Sequence, residues 1–167
     1  MEIIPPNRTL KEYLQMYLVL QRLLSRFFRS FTSQHSEEIP NKMTLLVVLP
    51  SSASTSHVTR AAIGFSATVK FKADIIQGRR AILEELTAVK KHHYNYEPGN
   101  CAEAETYAWF KRTLPGQKGA KFVAVTSTLN LLDGTPEPIC GQCKDLTRAL
   151  RKCIRGVYTL DLRPFQQ

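Results

Sequence analysis

Two short segments of the sequence carry residues that could bind a metal ion and move a proton. Cys101 and Glu103 stand one residue apart, and Cys140 and Cys143 follow later as a C-x-x-C pair. Each segment lies at the predicted start of a helix, where free backbone N–H groups and the helix dipole favour thiolates. Because three thiolates leave the fourth position of a tetrahedral zinc ion open, the spacing predicts a catalytic zinc site. Glu103 would lie beside the open position and carry a proton without binding the metal.

The same cysteines allow two other interpretations. A structural four-cysteine site would need Cys153, which lies ten residues beyond Cys143 on one predicted helix, a rise of about 15 Å. Unless that helix is broken, the two thiols cannot share a metal, so we expect Cys153 to be a core residue. A C-x-x-C pair can also be a redox centre, but that function leaves Cys101 and Glu103 without a role.

The hydrophobic pattern predicts the helices and strands that must position these residues. A capping-box pattern from Thr9 to Glu12 begins a helix that should end near Ser33. Clean alternation of apolar and polar residues predicts a half-buried strand over 61–71. The other predicted elements are helices over 79–91, 101–113 and 140–153, strands over 44–49, 122–127 and 157–162, and a polar linker over 36–42.

The order of these elements indicates the fold class. Helices alternate with strands in the C-terminal half, which favours an α/β fold with a mixed sheet and crossover helices. A chain of 167 residues is long enough to bury one such core. We expect an N-terminal helical extension over 1–42, packed on the core, and a domain over 43–167 that carries the cysteines.

Composition and charge restrict the partners. Apolar residues make up 43% and charged residues 22%, which is typical of a globular domain and excludes a disordered tail or a fibre. The formal net charge of +9 favours polyanions, such as nucleic acid or an acidic immunity or inhibitor protein. Neither a membrane-spanning stretch nor a signal peptide is recognisable, so we expect no membrane partner. The expected location is cytoplasmic or nuclear, unless the chain is a delivered toxin fragment.

The motif residues Cys101, Glu103, Cys140 and Cys143, with Pro138 before the C-x-x-C pair, resemble the zinc-dependent cytidine deaminase superfamily. The chain departs from that pattern in two ways. Its first ligand is cysteine where the pattern has histidine, and one extra residue separates the proline from the pair. A first-ligand cysteine is typical of free-nucleoside and blasticidin-type deaminases. The run over 99–105 is most similar to polymorphic-toxin (YwqJ-like) nucleic-acid deaminases.

The resemblance implies a fold, a metal and a reaction. The fold would be a three-layer arrangement in which helices flank a mixed five-stranded sheet, with zinc held by the three cysteines. The reaction would be hydrolytic deamination of cytosine to uracil, with Glu103 moving the proton from water to the ring nitrogen and then to the departing amine. Three thiolates make the zinc site net negative, which helix N-terminal N–H groups or a nearby cation such as Lys144 or Arg148 would offset.

Two classes of substrate fit this reaction. The basic charge and the aromatic residues near the motif favour cytosine in nucleic acid, with single-stranded DNA as the expected polymer. The residues predicted to contact it are His92, His93, Tyr94, Tyr96, Lys144, Arg148 and Lys152. The cysteine first ligand favours free cytidine, deoxycytidine or a related nucleoside instead. A binding module with a relic zinc site is a third interpretation, against which the intact Glu103 argues.

Overall fold

The computed structural model describes residues 9–30, 33–50, 60–83, 97–113, 122–149 and 154–159 of the 167. Within these ranges the α-helices are α1 (Leu10–Arg29), α2 (Lys72–Ile82), α3 (Ala102–Thr113) and α4 (Gly141–Ala149), and a 3₁₀ helix spans Ser33–Glu38. The strands are β1 (Lys42–Pro50), β2 (Arg60–Phe65), β3 (Phe122–Asn130), β4 (Pro136–Glu137) and β5 (Ile154–Thr159). No helix within these ranges combines the length and the apolar character that a membrane span requires.

The strands form one mixed sheet with β1 and β3 at its centre. β1 pairs antiparallel with β2 and β3, and β4 pairs antiparallel with the end of β3. β5 pairs parallel with the first half of β3, which the crossover helix α4 makes sterically feasible. The two-residue β4 and the longer β5 share the same edge of β3. The described sheet therefore contains five strands but is only four strands wide, because β4 and β5 occupy the same edge.

Helices cover both faces of the sheet. Alternate residues of β1 face opposite layers, so Met43, Leu45 and Val47 pack in one cluster with α1, while Leu46 and Val48 pack with α3 and α4. All five side chains are buried. This three-layer α/β architecture makes β1 apolar on both faces, which explains its continuous run of hydrophobic residues.

The N-terminal helix begins as its sequence predicted. The Glu12 carboxylate accepts a hydrogen bond from the Thr9 N–H at 2.7 Å, and the Thr9 hydroxyl accepts one from the Glu12 N–H at 3.3 Å. This reciprocal capping box satisfies two backbone donors at the start of α1. Further along, the hydroxyl of the buried Tyr17 lies 2.7 Å from the carbonyl oxygen of Met43 and 3.0 Å from that of Ser127. α1 is thereby joined to both central strands.

The C-terminal half of α1 also holds the loop that follows β3. The Gln21 amide donates a hydrogen bond to the carbonyl of Leu131 at 3.0 Å. The Ser25 hydroxyl and the Arg29 guanidinium both donate to the carbonyl of Leu132, the latter at 2.7 Å. Because this loop leads through β4 to Cys140, α1 helps to position the segment that precedes the cysteine pair.

Several predicted elements have different bounds in the structure; the strand predicted over 157–162, for example, spans Ile154–Thr159. The strand predicted over 61–71 ends at Phe65, whose partner is Met43, and it is buried on both faces where half-burial was predicted. The helix predicted over 79–91 begins earlier, at Lys72, and its described part ends at Ile82. The predicted linker over 36–42 contains the end of the 3₁₀ helix and the first residue of β1.

The helix predicted over 140–153 is described as far as Ala149, and β5 begins at Ile154, which pairs with Phe122. The predicted helical stretch over 150–153 lies outside the described residues. Cys153 itself lies outside the described residues.

Candidate metal centre

The three predicted metal ligands meet at one point. The sulfur atoms of Cys101, Cys140 and Cys143 all lie within 4.8 Å of one another, and those of Cys101 and Cys140 are 3.3 Å apart. Zn–S bonds of about 2.3 Å in a tetrahedron place sulfur atoms about 3.8 Å apart. The cluster thus has the dimensions of a three-thiolate site and could hold a metal ion, with zinc as a compatible one.

The starts of two helices bring the thiols together, as the spacing predicted. The carbonyl of Cys101 accepts a hydrogen bond from Ala104 N–H at 3.1 Å where α3 begins. The carbonyl of Cys140 accepts one from Lys144 N–H at 3.0 Å, and its sulfur accepts one from Cys143 N–H at 3.4 Å. Cys140 therefore caps α4 with its side chain, as serine caps many other helices. The α3 and α4 N-termini both favour negative charge at the cluster.

Three neighbouring thiols need a cation in order to ionise together. The hydrogen bond with Cys140 is the main factor that raises the pKa of the Cys101 thiol. Hydrogen bonds with Cys101 and Cys140 raise the pKa of the Cys143 thiol in the same way, and burial adds to both effects. A bound divalent cation would offset these raised pKa values by stabilising the ionised thiols, because cysteine binds metal as the thiolate.

Glu103 lies beside the cluster and is only 3% exposed. Burial is the main factor that raises the pKa of its carboxyl, and the negative charge of Cys140 adds to the rise. The Thr128 hydroxyl donates to the Glu103 carboxylate at 3.1 Å and lowers the same pKa. The Thr44 hydroxyl lies 2.7 Å from that of Thr128, its direct partner across β1 and β3. A buried carboxyl with a raised pKa is suited to accept and return a proton near neutral pH.

A pocket of about 200 Å³ opens onto the cluster. Its wall is formed by Asn41, Lys42, Ser66, Ala67, Asn100, Cys101, Glu103, Thr128, Pro138 and Cys140. These residues meet because the start of β1 and the ends of β2 and β3 lie at the same end of the sheet as the starts of α3 and α4. The pocket is smaller than the roughly 300–1,000 Å³ that drug-sized ligands occupy. It therefore suits a small, polar ligand.

The likeness to cytidine deaminases rests on the motif residues and their geometry. No family model, curated protein or solved structure matches this chain. The structure confirms the α/β class and the meeting of the three cysteines, whereas membership of the superfamily stays a prediction.

A buried arginine that we did not predict holds the Cys101 segment. Arg79 of α2 donates to the carbonyl oxygens of Gly99 at 2.7 Å and Cys101 at 3.2 Å. Its other terminal nitrogen donates to the carbonyl of Phe65 at 2.6 Å and to the Glu105 carboxylate at 3.2 Å. Burial lowers the pKa of Arg79, while the charges of Glu105 and of the nearby thiols raise it. The guanidinium thus lies among the backbone carbonyls next to the first metal ligand.

The predicted contacts with nucleic acid are only partly described. Lys144 and Arg148 are exposed on α4, four residues apart, and the Arg148 guanidinium lies 2.6 Å from the Asp145 carboxylate. His92, His93, Tyr94, Tyr96 and Lys152 lie outside the described residues. We predicted that Lys144 or Arg148 offsets the negative charge of the thiolates, but the buried cation beside the cluster is Arg79.

Sequence reasoning missed several other residues of the site. Thr44, Thr128, Asn41, Ser66 and Asn100 reach the site or its pocket through strand pairing and loop packing. The buried Oδ1 of Asn100 has no hydrogen-bond partner among the described residues and faces this pocket. Only Asn100 carried a sequence signal, since it immediately precedes the first ligand.

Proposed function

We propose that this chain is a zinc-dependent hydrolytic deaminase that converts cytosine to uracil. The observation that carries the proposal is the meeting of three thiols, two of which line one small pocket together with the buried carboxyl of Glu103. A purely structural zinc site closes its fourth position with a protein ligand, whereas a catalytic site leaves that position open. Here the described residues supply three thiols, and Glu103 lies beside them with a raised pKa.

The roles of the residues follow from their positions. Zinc held by Cys101, Cys140 and Cys143 would supply the polarisation that makes a water molecule acidic. Glu103 removes a proton from water and delivers it to N3 of cytosine as the water oxygen bonds to C4. Glu103 then takes the proton of the new C4 hydroxyl and passes it to the amine, the C4–N bond breaks as the C4 carbonyl forms, and ammonia leaves. Thr128 holds the carboxylate in orientation throughout.

We propose cytosine in single-stranded DNA as the substrate. The support is the net charge of +9 and the exposed Lys144 and Arg148 on the helix that begins at the metal ligands. A polymer could deliver one splayed base into a pocket of this size, while its phosphates contact cations outside.

A free nucleoside is the second candidate, and the ion pairs of the site favour it. The Lys42 ammonium, which lines the pocket, lies 3.1 Å from the Glu137 carboxylate, and Arg148 pairs with Asp145. Cations that are already paired attract phosphates less strongly. A free nucleoside would not need a row of unpaired cations outside the pocket.

The test compares four substrates with one protein preparation. Zinc-loaded protein is incubated with a single-stranded DNA oligonucleotide, an RNA of the same sequence, cytidine and deoxycytidine, and uracil and ammonia are measured. Glu103→Gln is the control, because it keeps the shape of the side chain and should retain zinc while losing at least ~10²-fold in rate. The proposal would be wrong if fully loaded protein deaminated none of the four, or if Glu103→Gln remained active.

A further inference from the structure

Three consecutive carbonyls around the first metal ligand are held by donors from other parts of the fold. Gly99 adopts a left-handed conformation with φ of 96°, which turns the chain toward α3. The carbonyl of Gly99 accepts from Arg79, that of Asn100 accepts from Ala67 N–H at 2.9 Å, and that of Cys101 accepts from Arg79 and from α3. Arg79 is thus the one side chain in this set that binds the carbonyls before and after Asn100.

Arg79 is itself fixed from both sides. The Glu105 carboxylate that accepts from Arg79 also accepts from the Phe65 N–H at 2.7 Å. Arg79 in turn donates to the Phe65 carbonyl, so the end of β2, the first turn of α3 and the Cys101 segment share one hydrogen-bonded network. Only a planar guanidinium, with several donors in fixed directions, can serve this many acceptors at once.

We propose that Arg79 is a positioning residue of the metal centre, which fixes the backbone of Cys101 and places one permanent positive charge beside the three thiols. The inference rests on the proposed zinc function. Groups that orient metal ligands without touching the metal commonly account for 10–100-fold in metal affinity. Here the group orients the ligand through its backbone carbonyl.

The chain supplies a matched control at the next position. Arg80 also lies on α2 and also pairs with a carboxylate, that of Glu97 at 2.9 Å, but its side chain is 42% exposed. Arg80→Gln removes the same charge from the same helix without touching the Cys101 segment. Arg79→Met removes the charge and the hydrogen bonds. Arg79→Lys keeps the charge but lacks the second terminal nitrogen, so it cannot serve the two carbonyls together with Phe65 and Glu105.

The experiment measures zinc affinity by competition with a chromophoric chelator, and the thiolate-to-metal absorption of the cobalt-substituted protein. We expect Arg79→Met to lose about 10–100-fold in zinc affinity, Arg79→Lys to lose less, and Arg80→Gln to stay within about twofold of the unmodified chain. The cobalt spectrum should change in both Arg79 variants, because the geometry at Cys101 changes.

Several outcomes would overturn the inference. Unchanged zinc affinity in a folded Arg79→Met protein would show that the arginine only satisfies buried carbonyls. If Arg79→Met does not fold, Arg79→Lys decides, since unchanged affinity and an unchanged cobalt spectrum would contradict the positioning role. An equal loss of zinc affinity in Arg80→Gln would show that the loss comes from removing any positive charge of α2 and not from the contacts of Arg79. Failure of the unmodified chain to bind zinc would instead refute the proposed function, so the two failures are distinguishable.

Discussion

Replacing Gly64 by alanine should displace the helix that carries Cys101 and Glu103. A Cβ atom at Gly64 would lie 2.6 Å from the carbonyl oxygen of Ala102, 2.9 Å from a methyl carbon of Thr106 and 3.0 Å from Cβ of Glu105. All three belong to the first turns of α3, and the nearest is a backbone atom. To bring that oxygen to even 3.0 Å, the strand and the helix must separate by at least 0.4 Å.

A shift of this size is large for a metal site. Metal–ligand distances are held to within about 0.2 Å, and Cys140 and Cys143 lie at the start of a different helix, so a shift of α3 alone would change their distances from Cys101. We therefore expect Gly64→Ala to lose about tenfold or more in zinc affinity and up to ~10²-fold in deamination rate. Overpacking should also cost about 1–3 kcal/mol of unfolding free energy. The melting temperature would then fall by about 2–4 °C per kcal/mol.

Gly78 supplies the matched control. It lies on α2, and a Cβ atom there would have no neighbour within 4 Å. Gly78→Ala should therefore keep zinc affinity and activity, and should stabilise the protein by about 0.5–1 kcal/mol through helix propensity. Chelator competition, thermal unfolding and the deamination assay are run on both variants. The reasoning is refuted if Gly64→Ala matches the unmodified chain in zinc affinity and rate, or if the two alanine variants behave alike.

Two further predictions concern the proton carrier and the substrate. Thr128→Val removes the hydrogen bond that lowers the pKa of Glu103. Because the higher pKa leaves less carboxylate at a given pH, the acid limb of the kcat/KM profile should move to higher pH. The control is Thr126→Val, at another buried threonine of β3, which should leave the acid limb in place. An unmoved limb in Thr128→Val would contradict the assigned role of Glu103. Lys144→Glu combined with Arg148→Glu should weaken binding of single-stranded DNA and flatten its salt dependence by about 0.7 per lost phosphate contact, without changing turnover of free deoxycytidine. An unchanged salt slope would favour the nucleoside substrate.

The parts of the fold that could be predicted carry strong local signals. Thr9 and Glu12 form the capping box that their spacing predicted, and Cys101 and Cys140 begin helices as expected. These features depend on neighbours within a few residues, which is why a single sequence reveals them. The meeting of the cysteines could be predicted because a tetrahedral ion requires thiols that converge.

The errors arise where distant partners set the outcome. Apolar alternation continues past Phe65, yet the strand ends there, and the next N–H, that of Ser66, donates to the carbonyl of Lys42 at the first residue of β1. The Ser66 hydroxyl instead accepts hydrogen bonds from the N–H groups of Asn41 and Lys42. Arg79 resembled any helical arginine in the sequence, and only the folded chain brings three backbone carbonyls to its guanidinium.

The attachment of α1 to the end of β3 has a consequence for how the protein could be divided. Tyr17, Gln21 and Arg29 reach carbonyls of residues that lie more than a hundred positions later, at Ser127, Leu131 and Leu132. The two sides of this contact are joined in sequence through residues 30–41, and the residues over 36–41, whose burial the structure describes, contribute no side chain to either core cluster. A chain cut there would give a helical peptide and a larger remainder with one apolar sheet face uncovered. Supplied as separate polypeptides, the two should recover zinc binding only on recombination, so the molecule is a candidate for a split reporter of the proximity of two fused proteins, with zinc binding as the signal.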